Sequence, residues 1–542
     1  MSNNLPLILI ILDGWGISSP SRGNAITGAH TPFYNSLISG YKTFSLAASG
    51  EAVGLPWGEP GNSEVGHQNL GAGKIVYQDV LKINKSIEDE SFFDHEVLLG
   101  AINHSKKHNS SLHILGILSD GGIHGHQDHI YAALELASRH ALKRVFLHII
   151  LDGRDTTYNS GAKYIKQMEK IIKRLKVGSI ATISGRFYAM DRDNHWERIE
   201  QVYKAMTKGE SKEVFKNANE AINASYKQKI YDEEFVPAVI QQSEVNGVAR
   251  VQPGDSVIFT NYRPDRARQI TKAFVLPGFN KFNRTLISNM YFATMASYDK
   301  DLPVKVVFEK DTIQNPIAKV LSEQGLTQLH IAETEKYAHV TYFFNGGKDK
   351  EYKGQENKII PSSGIASYAQ KPEMSAPEIT KQIISSMQSG KHQFIVVNFA
   401  NADMVGHTGN LQATMAAIQV IDSSLKLIVS FAAKKGGISV ITADHGNAEE
   451  MVNWEDGHII KEHSTNPVPC TIVGEQFKLA KPKQKTFVLS SLKVVGVLSD
   501  VTPTILNIIG VEAPEDMTSR SLVPSNLRAR TRAPIEEVGS LD

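Results

Sequence analysis

The sequence predicts an α/β protein with largely parallel sheets, and three observations support this fold class. Short, continuously apolar runs rich in β-branched residues recur along the chain, as expected for strands that are buried on both faces. Amphipathic stretches with helical spacing lie between several of these runs. The alternation of the two patterns is typical of βαβ units. The candidate strands are residues 7–11, 113–118, 145–151, 179–183, 256–260, 394–399 and 438–442, and the candidate helices are residues 160–175, 376–387 and 413–434.

Acidic residues directly follow several of the candidate strands. Asp13 follows the first strand, Asp152 follows residues 145–151, and Asp444 follows residues 438–442. Ligands of parallel α/β sheets collect at the carboxyl ends of the strands. We therefore expect the functional side chains at these strand ends.

Length, charge and cysteine content narrow the class of protein. A chain of 542 residues is too long for one core and suggests about two to four domains. Its 58 basic and 57 acidic residues leave a net charge of +1, which gives no electrostatic case for a nucleic-acid or membrane partner. The single cysteine, Cys470, fits a reducing compartment, and the apolar run at residues 5–12 is too short to span a bilayer. We expect a cytoplasmic protein.

The segment at residues 61–67 is the first candidate for catalysis. It is polar and rich in glycine and contains one hydroxyl side chain, Ser63, so the pattern predicts a loop that exposes a serine. The alternative is a solvated turn without function. A serine becomes a nucleophile only when a base or a metal ion activates it.

Potential metal ligands are abundant in the chain. Asp403 and His407 are four residues apart, so on a helical turn they would share one face. Oxygen and nitrogen ligation without sulfur favours Mn²⁺, Zn²⁺, Fe²⁺ or Co²⁺ over Mg²⁺. A metal pair could lower the pKa of a serine hydroxyl and bind a phosphoryl group. The candidate ligands are three aspartates, three histidines and the serine: Asp13, Asp403, Asp444, His407, His445, His463 and Ser63.

Arginines that follow further candidate strands form a second set. Arginine donates paired, planar hydrogen bonds that suit carboxylate and phosphate groups. The alternative is that these arginines form structural ion pairs with the aspartates beside them. The candidate anion-binding residues are Arg154, Arg186, Arg192, Arg263 and Arg266, with His124 as a further donor or proton-transfer group.

Together these segments resemble a known enzyme family. In order along the chain, they are similar to motifs of the cofactor-independent phosphoglycerate mutases, which belong to the alkaline-phosphatase-like metalloenzymes. The resemblance runs from about residue 5 to about residue 523 and therefore covers nearly the whole chain. The segments are residues 10–16, 61–67, 152–155, 261–268, 372–376, 398–401 and 443–447.

The resemblance implies a site and a reaction. Ser63 would be the nucleophile that becomes phosphoserine while 3-phosphoglycerate and 2-phosphoglycerate are interconverted, without 2,3-bisphosphoglycerate. Asp155 would move the glycerate proton, and Lys336 would neutralise the phosphoryl group near Ser63. The substrate would contact His124, Arg154, Asp155, Arg186, Arg192, Arg263, Arg266 and Lys336. One metal ion would be held by Asp403, His407 and His463, and the other by Asp13, Ser63, Asp444 and His445.

The resemblance also implies cofactors and an architecture. We expect two Mn²⁺ ions per chain, with Co²⁺, Zn²⁺ or Mg²⁺ as alternatives, and a monomer. The family layout has a discontinuous metal-binding domain at residues 1–79 and 315–523, with a largely parallel sheet and helices on both faces. A transferase domain at residues 80–312 is inserted into it, and residues 524–542 form a C-terminal tail that we expect to be loosely ordered.

Three segments depart from the family pattern. Ala402 replaces the proline that usually precedes Asp403, residues 366–371 differ from the usual run, and His458 competes with His463 as a ligand. None of these departures removes a proposed catalytic side chain. Two other functions stay open: another enzyme of the superfamily, either a metal-dependent phosphomonoesterase or a phosphopentomutase, and a binding protein on a former enzyme scaffold.

Overall fold

The structure is a computed structural model that describes residues 6–243, 247–453, 455–483 and 488–525. The chain divides into two compact units, Met1–Tyr77 with Asp311–Asp542 (unit 1) and Gln78–Lys310 (unit 2). The sequence analysis expected these boundaries after residue 79 and near residues 312–315. The expected C-terminal tail lies outside the described residues from position 526 onward.

Unit 1 is built on a sheet that has eight strands in the part of the chain described here. Leu7–Leu12 lies in the middle, parallel to Phe394–Phe399 on one side and to Ile438–Thr442 on the other. All residues of these three strands are buried. Their carboxyl ends therefore lie along one edge of the sheet. In sheet order the strands are Gln355–Ile360, Gln328–Glu333, Phe394–Phe399, Leu7–Leu12, Ile438–Thr442, Val468–Val473, Lys42–Ala47 and Val494–Val497.

Unit 2 has its own sheet, with nine strands among the described residues. Four neighbouring strands at its centre are parallel to one another. The loops after these strands carry the arginines of the sequence analysis. In sheet order the strands are Lys305–Phe308, Tyr291–Ala296, Ser256–Phe259, Leu112–Ile117, Val145–Leu151, Ser179–Gly185, Ala238–Ser243 and Val214–Phe215, and Gly247–Val248 pairs with Ala238–Ser243.

Helices surround both sheets. In unit 1 the α-helices are Ala25–Gly28, Pro32–Gly40, Ser63–Ala72, Ile317–Glu323, Ala376–Ser389, Asn401–Gly406, Leu411–Lys434 and Val501–Ile509. In unit 2 they are Asp79–Glu88, Ser91–Asp94, Glu96–His108, Gln127–Arg139, Gly161–Leu175, Arg186–Ala189, Trp196–Lys208, Ala218–Lys227 and Pro264–Val275. Short 3₁₀ segments are Gly50–Val53, Thr334–Lys336, Tyr368–Gln370, Glu475–Phe477, Leu489–Ser491 and Leu498–Asp500, and His339–Phe343 is a π-helical turn.

The α/β fold class with largely parallel sheets is confirmed. Each predicted strand forms, with ends that differ by at most a few residues from those expected. The predicted helices form as well, including Gly161–Leu175 and Ala376–Ser389. The local pattern was sufficient here because the central strands are continuously apolar and each helix buries one apolar face.

Among the described helices, Leu411–Lys434 is long and apolar enough to cross a membrane by length and composition. About half of its most apolar window is buried inside the protein. Ile418, Ile421, Leu425 and Ile428 all belong to the core of unit 1. This burial accounts for the apolar composition of the helix.

The prediction of a loop at residues 61–67 is wrong from Ser63 onward. Ser63 begins the α-helix Ser63–Ala72, and the Asn62 side chain caps this helix by accepting a hydrogen bond from the Val65 amide at 2.9 Å. An asparagine cap satisfies one of the free amides of the first turn. The serine therefore lies at the first position of a buried helix.

Close packing explains why a helix tolerates so much glycine here. A Cβ atom at Gly66 would lie 2.6 Å from the carbonyl oxygen of Asp444. A Cβ atom at Gly71 would lie 2.0 Å from the carbonyl oxygen of Phe344. Both distances are far below van der Waals contact, so only glycine lets this helix approach its neighbours. Composition alone resembled that of a turn because this packing is invisible in the local sequence.

Candidate active site

The Ser63 hydroxyl lies in a buried polar site of unit 1. Its Oγ atom lies 2.7 Å from Lys336 Nζ, 3.0 Å from His445 Nε2 and 3.2 Å from Asp13 Oδ1. The lysine can only donate, so Ser63 Oγ accepts this hydrogen bond and donates its own proton to Asp13 Oδ1. The helix start and the ends of separate strands bring these four residues together.

Lys336 contacts candidate ligands of both proposed metal sites, Asp13 and Asp403. Its Nζ atom also donates to Asp13 Oδ1 and Asp403 Oδ2, each at 2.7 Å. Burial alone would lower the pKa of Lys336, but the charges of Asp13 and Asp403 outweigh it and raise that pKa. Burial alone would raise the pKa of Asp403, but the Lys336 charge helps to hold it well below its usual range. The ammonium group thus stays charged between two carboxylates.

Asp403, His407 and His463 converge on one point. Asp403 Oδ1 lies 3.2 Å from His407 Nε2 and 3.3 Å from His463 Nε2, and the two Nε2 atoms are 3.0 Å apart. The Nδ1–H of His407 donates to the Lys461 carbonyl at 2.6 Å, and that of His463 donates to the Gly61 carbonyl at 2.8 Å. In the neutral rings both Nε2 atoms then carry lone pairs. Two lone pairs and a carboxylate oxygen directed at one point suit a metal cation.

Asp444 and His445 complete the other side of the site. His445 Nε2 lies 3.3 Å from Asp13 Oδ1 and 3.6 Å from Asp444 Oδ2. Burial alone would lower the pKa of His445, but the charge of Asp444 and a hydrogen bond with Asp13 raise it to about 10. Burial alone would raise the pKa of Asp444, but His445 and His67 lower it. The carboxylate oxygens suit a divalent cation as they stand, and the His445 nitrogen can become a ligand once its proton is released.

The sequence analysis missed three side chains that contact the candidate ligands. Asn398 Nδ2 donates to Asp13 Oδ2 at 2.6 Å and lies 3.0 Å from His67 Nε2. Asn447 Nδ2 donates to Asp403 Oδ1 at 3.0 Å. All three residues lie inside the quoted motifs: His67 is one helical turn from Ser63, Asn447 is two residues from His445, and Asn398 is five residues before Asp403. Their place inside these motifs was the feature of the sequence that could have identified them.

Distances alone would include His67 among the metal ligands. One ligand atom each of Asp13, His67 and Asp444 lie within 4.8 Å of one another, and the same holds for Asp403, His445 and His463. However, His67 Nδ1 contacts the Ser63 carbonyl oxygen at 2.8 Å and therefore donates to it. Its Nε2 atom faces the Asn398 amide, whose nitrogen orientation is set by the acceptor-only carboxylate of Asp13. With both ring nitrogens engaged, His67 orients its neighbours rather than binding an ion.

In unit 2, Arg186 is buried between two carboxylates. Its Nη1 atom lies 2.5 Å from Asp152 Oδ1 and 2.6 Å from Asp155 Oδ2. Asp155 Oδ2 also lies 4.0 Å from His124 Nε2. Arg186 thus forms the structural ion pairs that the sequence analysis kept as an alternative, and these pairs hold Asp155 in place.

Asp265 is the shared partner of two other arginines. Its carboxylate lies 3.0 Å from Arg192 Nη1 and 3.1 Å from Arg263 Nε, and His124 Nδ1 lies 3.6 Å away. Burial, followed by the charge of Arg186, lowers the pKa of His124 to about 4. The imidazole is therefore neutral at pH 7. About half of the Arg192 and Arg263 side-chain surface stays exposed, so both remain accessible to a ligand.

Arg154 and Arg266 complete the cation cluster. Arg154 Nη1 contacts Glu233 Oε1 at 3.3 Å and remains 59% exposed, and Arg266 Nη1 donates to the Met190 carbonyl at 3.0 Å. Burial, followed by the repulsion of Arg192, lowers the pKa of Arg266. A cationic group whose pKa is lowered by other cations lies in a field that attracts anions.

Two of the three segments that depart from the family pattern, at Ala402 and His458, leave the candidate site intact. His458 is exposed and pairs with Asp456 at 2.6 Å, whereas His463 lies at Asp403. Ala402 is buried in the helix Asn401–Gly406. The ring of His463, not that of His458, is therefore the one directed into the site.

Known proteins resemble this chain along nearly its full length. A family model described as the N-terminus of BPG-independent PGAM matches residues 83–300. A 2,3-bisphosphoglycerate-independent phosphoglycerate mutase of Chloroflexus aurantiacus is 44% identical over 544 residues, covering 96% of this chain and 99% of the relative. One of Moorella thermoacetica is 46% identical over 521 residues, covering 96% and 98%.

A solved structure is similar as well. The crystal structure of Leishmania mexicana phosphoglycerate mutase at low cobalt concentration has 31% sequence identity to this chain and a TM-score of 0.55. The match covers 95% of this chain and 97% of that chain. The similarity therefore includes both units.

Proposed function

The chain belongs to the family of 2,3-bisphosphoglycerate-independent phosphoglycerate mutases, and on that premise we propose that it interconverts 3-phosphoglycerate and 2-phosphoglycerate through a phosphoserine at Ser63. The observation that carries the proposal is the environment of Ser63 Oγ. It contacts a buried ammonium group, Lys336 Nζ, at 2.7 Å and an imidazole nitrogen, His445 Nε2, at 3.0 Å. A hydroxyl held in this way is suited to nucleophilic attack.

We propose that the candidate ligands of unit 1 hold two divalent metal ions, Mn²⁺ with Co²⁺, Zn²⁺ or Mg²⁺ as alternatives. The facing Nε2 atoms of His407 and His463 support one ion site. When bound, the ions would lower the pKa of the Ser63 hydroxyl and offset negative charge on the phosphoryl oxygens. The proposed ligands are Asp403, His407 and His463 for one ion, and Asp13, Ser63, Asp444 and His445 for the other.

The first proposed step transfers the phosphoryl group to the protein. Ser63 Oγ attacks phosphorus, a bond forms between them, and the bond from phosphorus to glycerate O3 breaks. Ser63 gives up a proton and O3 gains one, so no net proton is consumed. Lys336, which already donates to Ser63 Oγ, stabilises negative charge at the reacting oxygen.

The second step returns the group to a different oxygen. The 2-hydroxyl of the retained glycerate attacks phosphorus, its proton is removed, and the Ser63 oxygen leaves and regains a proton. We assign the movement of the glycerate proton to Asp155, which Arg186 holds in place. The site must exclude water during this interval because water would hydrolyse the phosphoserine.

The cation cluster of unit 2 is proposed to retain the glycerate. Its arginines offer paired hydrogen-bond donors to the carboxylate and phosphate of the substrate, and His124 adds a neutral donor. Retention distinguishes a mutase from a phosphatase, because released glycerate would leave only hydrolysis. The proposed substrate-binding residues are His124, Arg154, Asp155, Arg186, Arg192, Arg263, Arg266 and Lys336.

A direct assay tests the proposal. The purified protein is incubated with 3-phosphoglycerate, without added 2,3-bisphosphoglycerate, and the products are followed by ³¹P NMR. We expect 2-phosphoglycerate to form, its formation to stop after chelation, and Mn²⁺ to restore it. No turnover of the Mn²⁺-loaded protein would overturn the proposal.

Other outcomes would indicate the alternative functions. Free phosphate without isomerisation would indicate a phosphomonoesterase, and turnover of pentose phosphates alone would indicate a phosphopentomutase. Absence of stoichiometric Mn²⁺ binding would favour a binding protein on an enzyme scaffold. We further propose a cytoplasmic monomer that acts on small molecules and has no nucleic-acid or membrane partner, for which the near-zero net charge and the single, buried cysteine are the support.

A further inference from the structure

A buried carboxylate, Glu449, joins loops of unit 1 that are far apart in the chain. Its side chain is only 1% exposed. Glu449 Oε2 accepts hydrogen bonds from the backbone amides of Gly16 and Asn447, each at 2.9 Å. Glu449 Oε1 accepts from the Ser464 hydroxyl and, at 3.1 Å, from the Asn466 amide. All four contacts are neutral donors, which suit an acceptor-only carboxylate.

Each of these loops carries a candidate metal ligand. The loop that contains Gly16 begins at Asp13, the Asn447 loop begins after His445, and Ser464 directly follows His463. The carboxylate of Glu449 therefore ties together the backbone segments that position ligands of both proposed ions. Without these hydrogen bonds to Glu449, the loops could move independently of one another.

Gly16 and Gly446, two glycines close to candidate metal ligands, pack against this carboxylate so closely that a side chain at either position would overlap it. A Cβ atom at Gly16 would lie 2.2 Å from the carboxyl carbon of Glu449. A Cβ atom at Gly446 would lie 2.4 Å from Glu449 Oε1 and 2.3 Å from Ser464 Oγ. The Glu449 carboxylate thus packs directly against both glycines, and Gly446 pairs through its backbone with Ser464. The four hydrogen bonds and the close packing of both glycines indicate that the Glu449 side chain has a fixed place in this part of the structure.

We propose that Glu449 is a positioning residue that holds the ligand loops in register and thereby sets the affinity of the metal centre. This inference rests on the metal centre of the proposed function. Glu449 acts through the backbone of its neighbours, so its removal should weaken metal binding rather than alter the chemical step. Loss of an outer partner of metal ligands typically reduces affinity by about 10- to 100-fold.

The test compares full-length variants by Mn²⁺ titration calorimetry and by competition with a chelator. Glu449→Gln keeps the shape but loses the charge and part of the acceptor capacity, so we expect affinity to fall about 10-fold. Glu449→Ala loses all four hydrogen bonds, so we expect a fall of about 100-fold. The control is Glu450→Gln, because Glu450 is exposed and contacts only one of the four donors, Asn466, at 2.7 Å. We expect the control to match the wild-type protein.

Two further measurements separate positioning from a general loss of structure. Circular dichroism of the metal-free proteins reports whether each variant is folded. Saturating Mn²⁺ should restore most of the turnover of Glu449→Gln, with KM for 3-phosphoglycerate unchanged. If Glu449→Ala fails to fold, the Mn²⁺ affinity of Glu449→Gln alone tests the positioning role.

The outcomes also distinguish this inference from the proposed function. A folded Glu449 variant that binds Mn²⁺ with wild-type affinity would overturn the positioning role alone. A wild-type protein that binds no Mn²⁺ would overturn the proposed metal centre and this role with it.

Discussion

The Nε2 atoms of His407 and His463 lie 3.0 Å apart, although each ring already donates its Nδ1–H to a backbone carbonyl. Two neutral imidazoles in these tautomers direct lone pairs at each other, and the Asp403 carboxylate faces the same point. A cation between the groups relieves the repulsion of these lone pairs, and either a proton on one ring or a metal ion can supply it. The hydrogen bond with Asp403 accordingly raises the pKa of His407. This geometry supports the cation site that we propose at these residues.

The first prediction tests that site. His463→Ala should remove one of two bound Mn²⁺ ions and lower turnover by at least about 100-fold, because one ligand of three is lost. His458→Ala is the matched control, since its ring is exposed and pairs with Asp456. Metal content after gel filtration and the rate of isomerisation measure the two effects. Loss of an ion in the His458 variant instead would reverse the assignment.

Removal of the proposed nucleophile should abolish turnover. We expect Ser63→Ala to reduce kcat by more than about 1,000-fold and to leave the fold intact, because only one hydroxyl is lost. Mass spectrometry of the wild-type protein quenched during turnover should detect a phosphoryl group on Ser63, which the variant lacks. Ser36→Ala, at an exposed serine, serves as the control. Near-normal activity of Ser63→Ala would exclude the phosphoserine.

Lys336 should matter for stability as well as for catalysis. Lys336→Met leaves the buried carboxylates of Asp13 and Asp403 without their shared cation. Breaking a buried ion pair in this way costs about 3 kcal/mol or more of unfolding free energy. We expect the metal-free variant to melt earlier and Mn²⁺ to recover much of the loss, because the ion replaces the missing charge.

The control for this prediction is Lys381→Met, which changes a lysine that is 78% exposed. Thermal unfolding with and without Mn²⁺ measures the effect. Equal melting temperatures for the metal-free Lys336 variant and the wild-type protein would contradict the prediction.

The arginines of unit 2 should control substrate affinity. Arg192→Ala removes an exposed guanidinium beside Asp265, and a charge-assisted hydrogen bond contributes about 1.5–3 kcal/mol. We therefore expect KM for 3-phosphoglycerate to rise by about 10- to 100-fold, and KM of the wild-type protein to rise with ionic strength. Arg144→Ala, a change at an exposed arginine that contacts Asn109, should leave KM unchanged.

A buried histidine of unit 2 makes stability depend on pH. His129 contacts Asn84 at 2.8 Å, and burial, followed by the charge of His126, lowers the pKa of His129 to about 3. The value in the unfolded chain is about 6.5, so the neutral ring stabilises the fold above that pH. This contribution is lost as the pH falls from about 6.5 toward 3, by up to about 1.4 kcal/mol per pH unit.

His129→Gln keeps a donor for Asn84 and removes the titration. We expect urea unfolding followed at several pH values to show a shallower loss of stability below pH 6.5 than in the wild-type protein. His108→Gln, at an exposed histidine, should keep the wild-type slope. Identical slopes for the wild-type protein and the His129 variant would contradict the prediction.

Much of the fold and of the candidate site could be predicted from the amino-acid sequence. The central strands could be predicted because each is buried on both faces and is therefore continuously apolar. Asp13 and Asp444 were readable because acidic residues after parallel strands share one edge of the sheet. The spacing of Asp403 and His407 placed them on one helical turn, where the structure has them.

Other features depended on tertiary contacts. The local sequence around Ser63 predicted a loop, because the packing of Gly66 against Asp444 that favours a helix involves a residue far away in the chain. The choice between His458 and His463 likewise depended on which ring the folded chain directs at Asp403.

Glu449 is the clearest example of a residue whose contacts could not be predicted from the local sequence. Its carboxylate and the Gly16 amide that it binds are separated by 433 residues, and no local pattern distinguishes it from the exposed Glu450 beside it. The sequence alone determined the strands, the acidic strand ends and the side-chain types of the candidate site, because these follow from local periodicity and side-chain chemistry. Only the tertiary structure decided which side chains meet, because long-range packing brings distant loops to one carboxylate.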